Sequence, residues 1–111
     1  MKIIFSKEAE KFLEKKSAKS NVKLNLVLHA KEICKSCYSK MEPDVTFETD
    51  ENYLEGIDKI GDWKGKIDIY KDPAINPLIQ NKEEIHISLK GKLGKTLSVD
   101  DGLFQVQLKY V

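Results

Sequence analysis

The run Val22-Lys23-Leu24-Asn25-Leu26-Val27-Leu28-His29 alternates apolar and mostly polar side chains along nearly its whole length. A period of two places successive side chains on opposite faces of a β-strand, so the run predicts a half-buried strand over 22–29. The same alternation recurs at residues 45–47, 67–70, 84–90 and 104–110, and residues 1–5 are predicted to form a short strand. These segments together predict a domain that is rich in strands.

A helix is predicted before the first long strand. Ser6 is a suitable N-cap for a segment rich in lysine and glutamate, over about 7–18. One stripe of this segment has helical spacing and is formed by Ala9, Phe12, Leu13 and the stem of Lys16. A helix with one apolar stripe packs on a sheet, so the predicted fold class is α+β with an N-terminal helix.

The rest of the chain has weaker periodicity. Residues 30–43 are predicted to form a connection, 54–60 an irregular strand, and 74–80 a short helical piece interrupted by Pro77. Trp63 is predicted to be a partly buried anchor of the domain. We find no repeat and no linker, so residues 1–111 are predicted to form a single domain.

Composition excludes several classes of function. Hydrophobic residues make up 41% and charged residues 33% of the 111 residues, which is a globular profile. The net charge of +1 argues against a nucleic-acid partner, and the absence of arginine argues against phosphoryl transfer. No stretch is apolar for long enough to be an export signal or a membrane span, so a reducing cytoplasm is the expected location.

The segment Cys34-Lys35-Ser36-Cys37 is the best candidate for chemistry. Thiols at this spacing can ligate one metal ion together or close into a disulfide, which leaves metal binding and redox chemistry both open. The alternative is that both cysteines are small apolar side chains that fill a loop core. His29 and His86 are the only nitrogen ligands in the sequence, although the parity of both positions predicts that they face solvent.

Three stretches follow one another in an arrangement known from a protein family. They are the opening Met1-Lys2-Ile3-Ile4-Phe5-Ser6-Lys7-Glu8-Ala9, the strand 22–29 leading into Cys34, and Lys66-Ile67-Asp68-Ile69-Tyr70 followed by a short helical piece. This order resembles the HesB-like family, the A-type carriers of iron–sulfur cluster biosynthesis. The resemblance implies a β-rich sandwich flanked by helices, with Cys34 at the first ligand position of the family.

The chain departs from these carriers near its C-terminus. The carriers have a CxC-like pair there, whereas this chain has no cysteine after Cys37. It looks more like a divergent branch with a paired-cysteine loop, in which iron or an iron–sulfur cluster would be held by Cys34 and Cys37. Two thiolates cannot complete a four-ligand site, so a homodimer or a partner thiol protein would have to supply the remaining ligands.

Two other classes of function stay open. In the first, the protein is a thiol–disulfide redox protein in which Cys34 attacks and Cys37 resolves. The segment after Cys37 is short and reaches Pro43 soon, unlike the helix that follows this motif in thioredoxin-like enzymes. In the second, the protein is a non-catalytic interaction module whose partner docks on a sheet edge or around Trp63.

Overall fold

The computed structural model describes residues 2–34, 39–79, 83–91 and 96–99. A strand and a helix open the chain, and a long β-hairpin, a short helix and two further strands follow. A 3₁₀ turn, another short helix and two strands complete the described part. The elements are β1 (Lys2–Phe5), α1 (Lys7–Lys19), β2 (Leu24–Cys34), β3 (Ser39–Glu48), α2 (Glu51–Glu55), β4 (Asp58–Trp63), β5 (Ile67–Lys71), the 3₁₀ turn (Pro73–Ile75), α3 (Asn76–Ile79), β6 (Glu84–Lys90) and β7 (Thr96–Val99).

The described strands form two sheets. The larger has the order β3-β2-β5-β4, in which β2 is antiparallel to β3 and parallel to β5, and β4 is antiparallel to β5. The smaller has the order β1-β6-β7, with β1 parallel and β7 antiparallel to β6. The helix and the two sheets confirm the predicted α+β class with an N-terminal helix.

The first helix begins and packs as its sequence predicts. The Ser6 side chain accepts a hydrogen bond of 3.1 Å from the backbone N–H of Ala9, which caps the helix. Ala9 and Leu13 are buried, and the Phe12 ring lies 6.1 Å from the ring of Phe47 on β3. The helix therefore covers one face of the larger sheet.

One cluster of buried side chains joins this helix to both sheets. Leu26 and Leu28 on β2, Ile67 and Ile69 on β5, and Ile85 and Ile87 on β6 all belong to it. The alternation in the sequence predicted these inward-facing positions. Val27 has the opposite parity, yet it is only 1% exposed.

Val27 lies on the face of the sheet that is next to α2, a helix that the sequence did not predict. This helix carries a buried Leu54, and its Tyr53 lines a depression together with Val27. The irregular strand expected over 54–60 was therefore misplaced, since Leu54 is helical and β4 begins at Asp58. The sheet is thus partly covered on both faces.

The connection predicted over residues 30–43 was wrong. The strand β2 continues to Cys34 and pairs with β3 in unbroken register from Asn25 opposite Glu48 to Cys34 opposite Ser39. Pro43 is compatible with this pairing because β3 lies at the edge of the sheet formed by the described strands, where a missing N–H need not interrupt a ladder. The strand predicted over 104–110 lies outside the described residues.

Candidate functional site

The long hairpin of β2 and β3 places Cys34 at its far end. Cys34 is the last residue of β2, and its pairing with Ser39 is the last described pair of the ladder. Its thiol is exposed. Cys34 was predicted to follow the strand in a loop, and the structure instead places it within the ladder. Cys37 lies outside the described residues.

A carboxylate lies beside the Cys34 sulfur, and a methionine lies on the same face of the neighbouring strand. Because side chains alternate along a strand, Glu32 lies on the same face as Cys34. The Cys34 thiol donates a weak hydrogen bond to Glu32 Oε1 at 3.7 Å. Met41 lies directly opposite Glu32 on β3 and is 43% exposed. This group of Glu32, Cys34 and Met41 is called the hairpin-tip cluster below.

His29 lies on the opposite face of the same strand. Its Nε2 atom is 3.2 Å from Thr46 Oγ1 and 3.6 Å from Asp44 Oδ2, both on β3. An odd separation from Cys34 along β2 directs the two side chains to different faces of the sheet. His29 therefore does not share a site with Cys34 in one chain, and it is half-buried rather than fully solvent-facing.

His86 is exposed, as its parity predicted. It lies on β6 in the smaller sheet, and its Nε2 atom is 3.5 Å from Glu84 Oε1. In the described part of the chain, no three His, Cys, Asp or Glu side chains come together in a group that could hold a metal ion. One chain thus supplies an incomplete donor set from these residues.

A second polar cluster, which the sequence analysis missed, connects α2 to the end of β5. Tyr53 Oη donates a 2.6 Å hydrogen bond to Asp72 Oδ2, and Asp72 Oδ1 accepts one of 3.0 Å from the N–H of Ala74. Partial burial and the bond to Asp72 raise the pKa of Tyr53 to about 12. The bonds from Tyr53 and Ala74 lower the pKa of Asp72 below 3.8. Asp72-Pro73, a capping residue before a proline, was the available sequence signal.

This cluster borders a depression of about 360 Å³. Its lining residues come from β2, β3 and α2 and are Val27, His29, Thr46, Glu48, Asp50 and Tyr53. Two of its carboxylates are engaged in local capping. Glu48 Oε1 accepts from the N–H groups of Thr49 and Asp50, and Asp50 Oδ1 accepts from that of Asn52. The depression is therefore best explained as the structural junction of α2 with the sheet.

Asp68 on β5 forms ion pairs with Lys59 on β4 and with Lys23, which lies just before β2. Its carboxylate lies 3.1 Å from Lys23 Nζ and 3.2 Å from Lys59 Nζ. Burial opposes ionisation of Asp68, but the hydrogen bonds and charges of the two lysines lower its pKa below 3.8. This arrangement stabilises the fold.

Trp63 is buried at the end of β4 and belongs to the core. Its indole Nε1 has no hydrogen-bond partner among the described residues, while Lys64 Nζ lies 5.0 Å from the centre of its ring. This burial agrees with the prediction that Trp63 anchors the domain. It leaves little of the side chain exposed for a binding partner to contact.

Comparisons with known proteins give no relative for the chain. No family model, no curated protein and no solved structure matches it. Within the described residues, no helix combines the length and the apolar character needed to cross a membrane. The candidate site is therefore the hairpin-tip cluster with Cys34 at its centre, on the strength of its own geometry.

Proposed function

We propose that this protein binds a metal ion through the thiolates of Cys34 and Cys37, in the manner of a divergent HesB-like protein. The observation that carries the proposal is the position of Cys34, exposed at the end of a paired hairpin with the Glu32 carboxylate 3.7 Å away. Thiolates are soft, anionic ligands for iron, zinc and iron–sulfur clusters. A cytoplasmic location would keep them reduced.

The donor set fits part of a metal site. Cys34 and Cys37 supply two thiolates, and a tetrahedral site needs four ligands. The Glu32 carboxylate lies 3.7 Å from the Cys34 sulfur, whereas His29 is on the wrong face to contribute. A second copy of the hairpin, or a thiol of a partner protein, would complete the coordination.

The order of elements supports the HesB-like character of the proposal. A strand that ends at Cys34, a second strand paired with it and a late strand–helix–strand unit follow one another, the last formed by β5, α3 and β6. The resemblance implies the same order. Iron or an iron–sulfur cluster is accordingly the species that we propose to test first.

The test is anaerobic reconstitution of the full chain with iron and sulfide. We expect thiolate-to-iron charge-transfer absorbance that is lost in Cys34→Ser, because the leading ligand is then absent. His29→Gln should keep the absorbance, since its imidazole lies on the opposite face. His86→Gln is the control for nonspecific metal binding by an exposed imidazole.

Other outcomes separate the alternatives. A colourless product at every ratio of iron to protein would contradict iron binding. Metal-free protein that forms a reversible disulfide between Cys34 and Cys37 would instead indicate thiol–disulfide redox chemistry. Unreactive thiols and unchanged behaviour of Cys34→Ser would leave an interaction module.

A further inference from the structure

Met41 has an unusual position for a methionine. It is one of two large hydrophobic side chains that are exposed in the described part of the chain, the other being Val22. Met41 points to the face of the hairpin that also carries Glu32 and Cys34, beyond the part of the sheet that the core covers. Its thioether is a weak, soft ligand that is accessible to an ion from solvent.

The register places Met41 diagonally across the ladder from Cys34. Cys34 pairs with Ser39, and Met41 is two positions further along β3, on the same face. Diagonal neighbours in an antiparallel pair have their Cα atoms about 7–8 Å apart, and long side chains bridge that separation. The Met41 side chain is unbranched and flexible, so its sulfur can approach that of Cys34 without a change in the backbone.

We propose that Met41 is a further ligand of the hairpin tip, and that the Cys34–Met41 pair binds a soft monovalent cation of the Cu(I) type. Thiolate together with thioether is the ligand combination that favours Cu(I) over harder ions. Such an ion accepts fewer ligands than the four of a structural zinc site, so one hairpin can hold it. The carboxylate of Glu32 adds a negative charge beside the bound cation.

This inference rests on the thiol-dependent metal binding proposed above and adds Cu(I) to the ions proposed for Cys34. It assigns a role to Met41 that the binding of iron or zinc does not require, because a thioether adds little to the binding of those ions. Zinc and Cu(I) should therefore respond differently to the loss of Met41.

The experiment uses full-length protein labelled at the methionine methyl groups with ¹³C and titrated without oxygen with Ag(I), a redox-inert probe for Cu(I). The chain has two methionines, Met1 and Met41, so Met41→Leu assigns both resonances. We expect the Met41 methyl resonance to shift and to saturate at about one ion per chain. In Cys34→Ser the shift should be lost.

Affinities for Cu(I) and Zn(II) are then measured by chelator competition. Loss of an outer-shell partner already lowers metal affinity about 10- to 100-fold, so we expect Met41→Leu to weaken Cu(I) binding by at least about tenfold. Zinc affinity should stay unchanged, which also shows that the variant is folded.

Three outcomes would overturn the inference. An unmoved Met41 resonance with intact Cys34-dependent binding would refute it and leave the proposed function standing. Equal weakening of Cu(I) and Zn(II) binding in Met41→Leu would show a structural role for the side chain. Absence of any ion binding by the wild-type protein would refute both proposals.

Discussion

Whether Cys34 and His29 can ligate the same metal ion depends on how far strand β2 extends. Both residues were plausible metal ligands while β2 was expected to end at residue 29. Once the strand continues to Cys34, alternation assigns the two side chains to opposite faces. Glu32 and Met41 replace His29 as neighbours of the thiol, and the pattern in the sequence did not indicate either of them.

At the same scale, Tyr53→Phe tests the bond between α2 and the end of β5. Removal of the phenol hydroxyl deletes the 2.6 Å hydrogen bond to Asp72. A hydrogen bond to a charged group contributes about 1.5 kcal/mol or more, so we expect a loss of that order in the free energy of unfolding. Urea denaturation at pH 7 measures it, with Tyr70→Phe as the control that keeps this bond.

The same bond has a distinct pH dependence. The pKa of Tyr53 is raised from 10.0 to about 12 in the folded protein, so folding favours the protonated phenol. The stabilisation is fully present below pH 10 and is lost as the pH rises from 10 to about 12. The alkaline decline in stability should therefore be smaller in Tyr53→Phe than in the wild-type protein. Identical declines would contradict this assignment.

The sequence predicted the elements that have a strict hydrophobic periodicity. It did not predict the elements that are buried along only part of their length. The alternation at 67–70 and 84–90 and the stripe of α1 gave the correct elements because one face of each is buried in the core. None of the described side chains at the end of the hairpin is fully buried, and residues 30–34 and 39–43 carry no such pattern. The short helix α2 was missed although Asp50 caps its start and Gly56 follows its end.

The capping of α1 can be tested by Ser6→Ala. The variant loses the side-chain acceptor for the N–H of Ala9, and such a change costs about 1 kcal/mol. Ser6→Asp should retain most of the stability, because a carboxylate accepts the same bond and suits the N-terminus of a helix. Thermal unfolding measures both, and equal stability of Ser6→Ala and the wild-type protein would contradict the role of the cap.

The strand-bridging role of Asp68 predicts sensitivity to acid. Its pKa is lowered in the folded state, so its stabilisation is present above pH 3.8 and is lost as the pH falls through the folded-state value. Asp68→Asn should lower the free energy of unfolding at pH 7 and flatten its decline below pH 4. Denaturation from pH 7 to pH 2 measures this, and Asp62→Asn, at an exposed position of β4, is the matched control.

On the scale of the whole molecule, one buried cluster supports a hairpin that extends away from it. Both sheets and α1 contribute to the cluster, whereas the hairpin-tip cluster is formed by exposed side chains. Substitutions at Cys34 or Met41 should therefore change ligand binding and leave the stability of the core almost unchanged. The fold class followed from the periodicity of the chain, while the neighbours of Cys34 followed only from the register of the hairpin.

The central claim is that Cys34 is a ligand for metal. Anaerobic native mass spectrometry of the full chain and of Cys34→Ser, titrated with Fe(II) and Zn(II), tests it most directly. We expect metal adducts of the wild-type protein, mainly on dimers because two thiolates cannot complete a four-ligand site, and their loss in Cys34→Ser. Equal adducts in both proteins, or none in the wild-type protein at saturating metal, would contradict the claim.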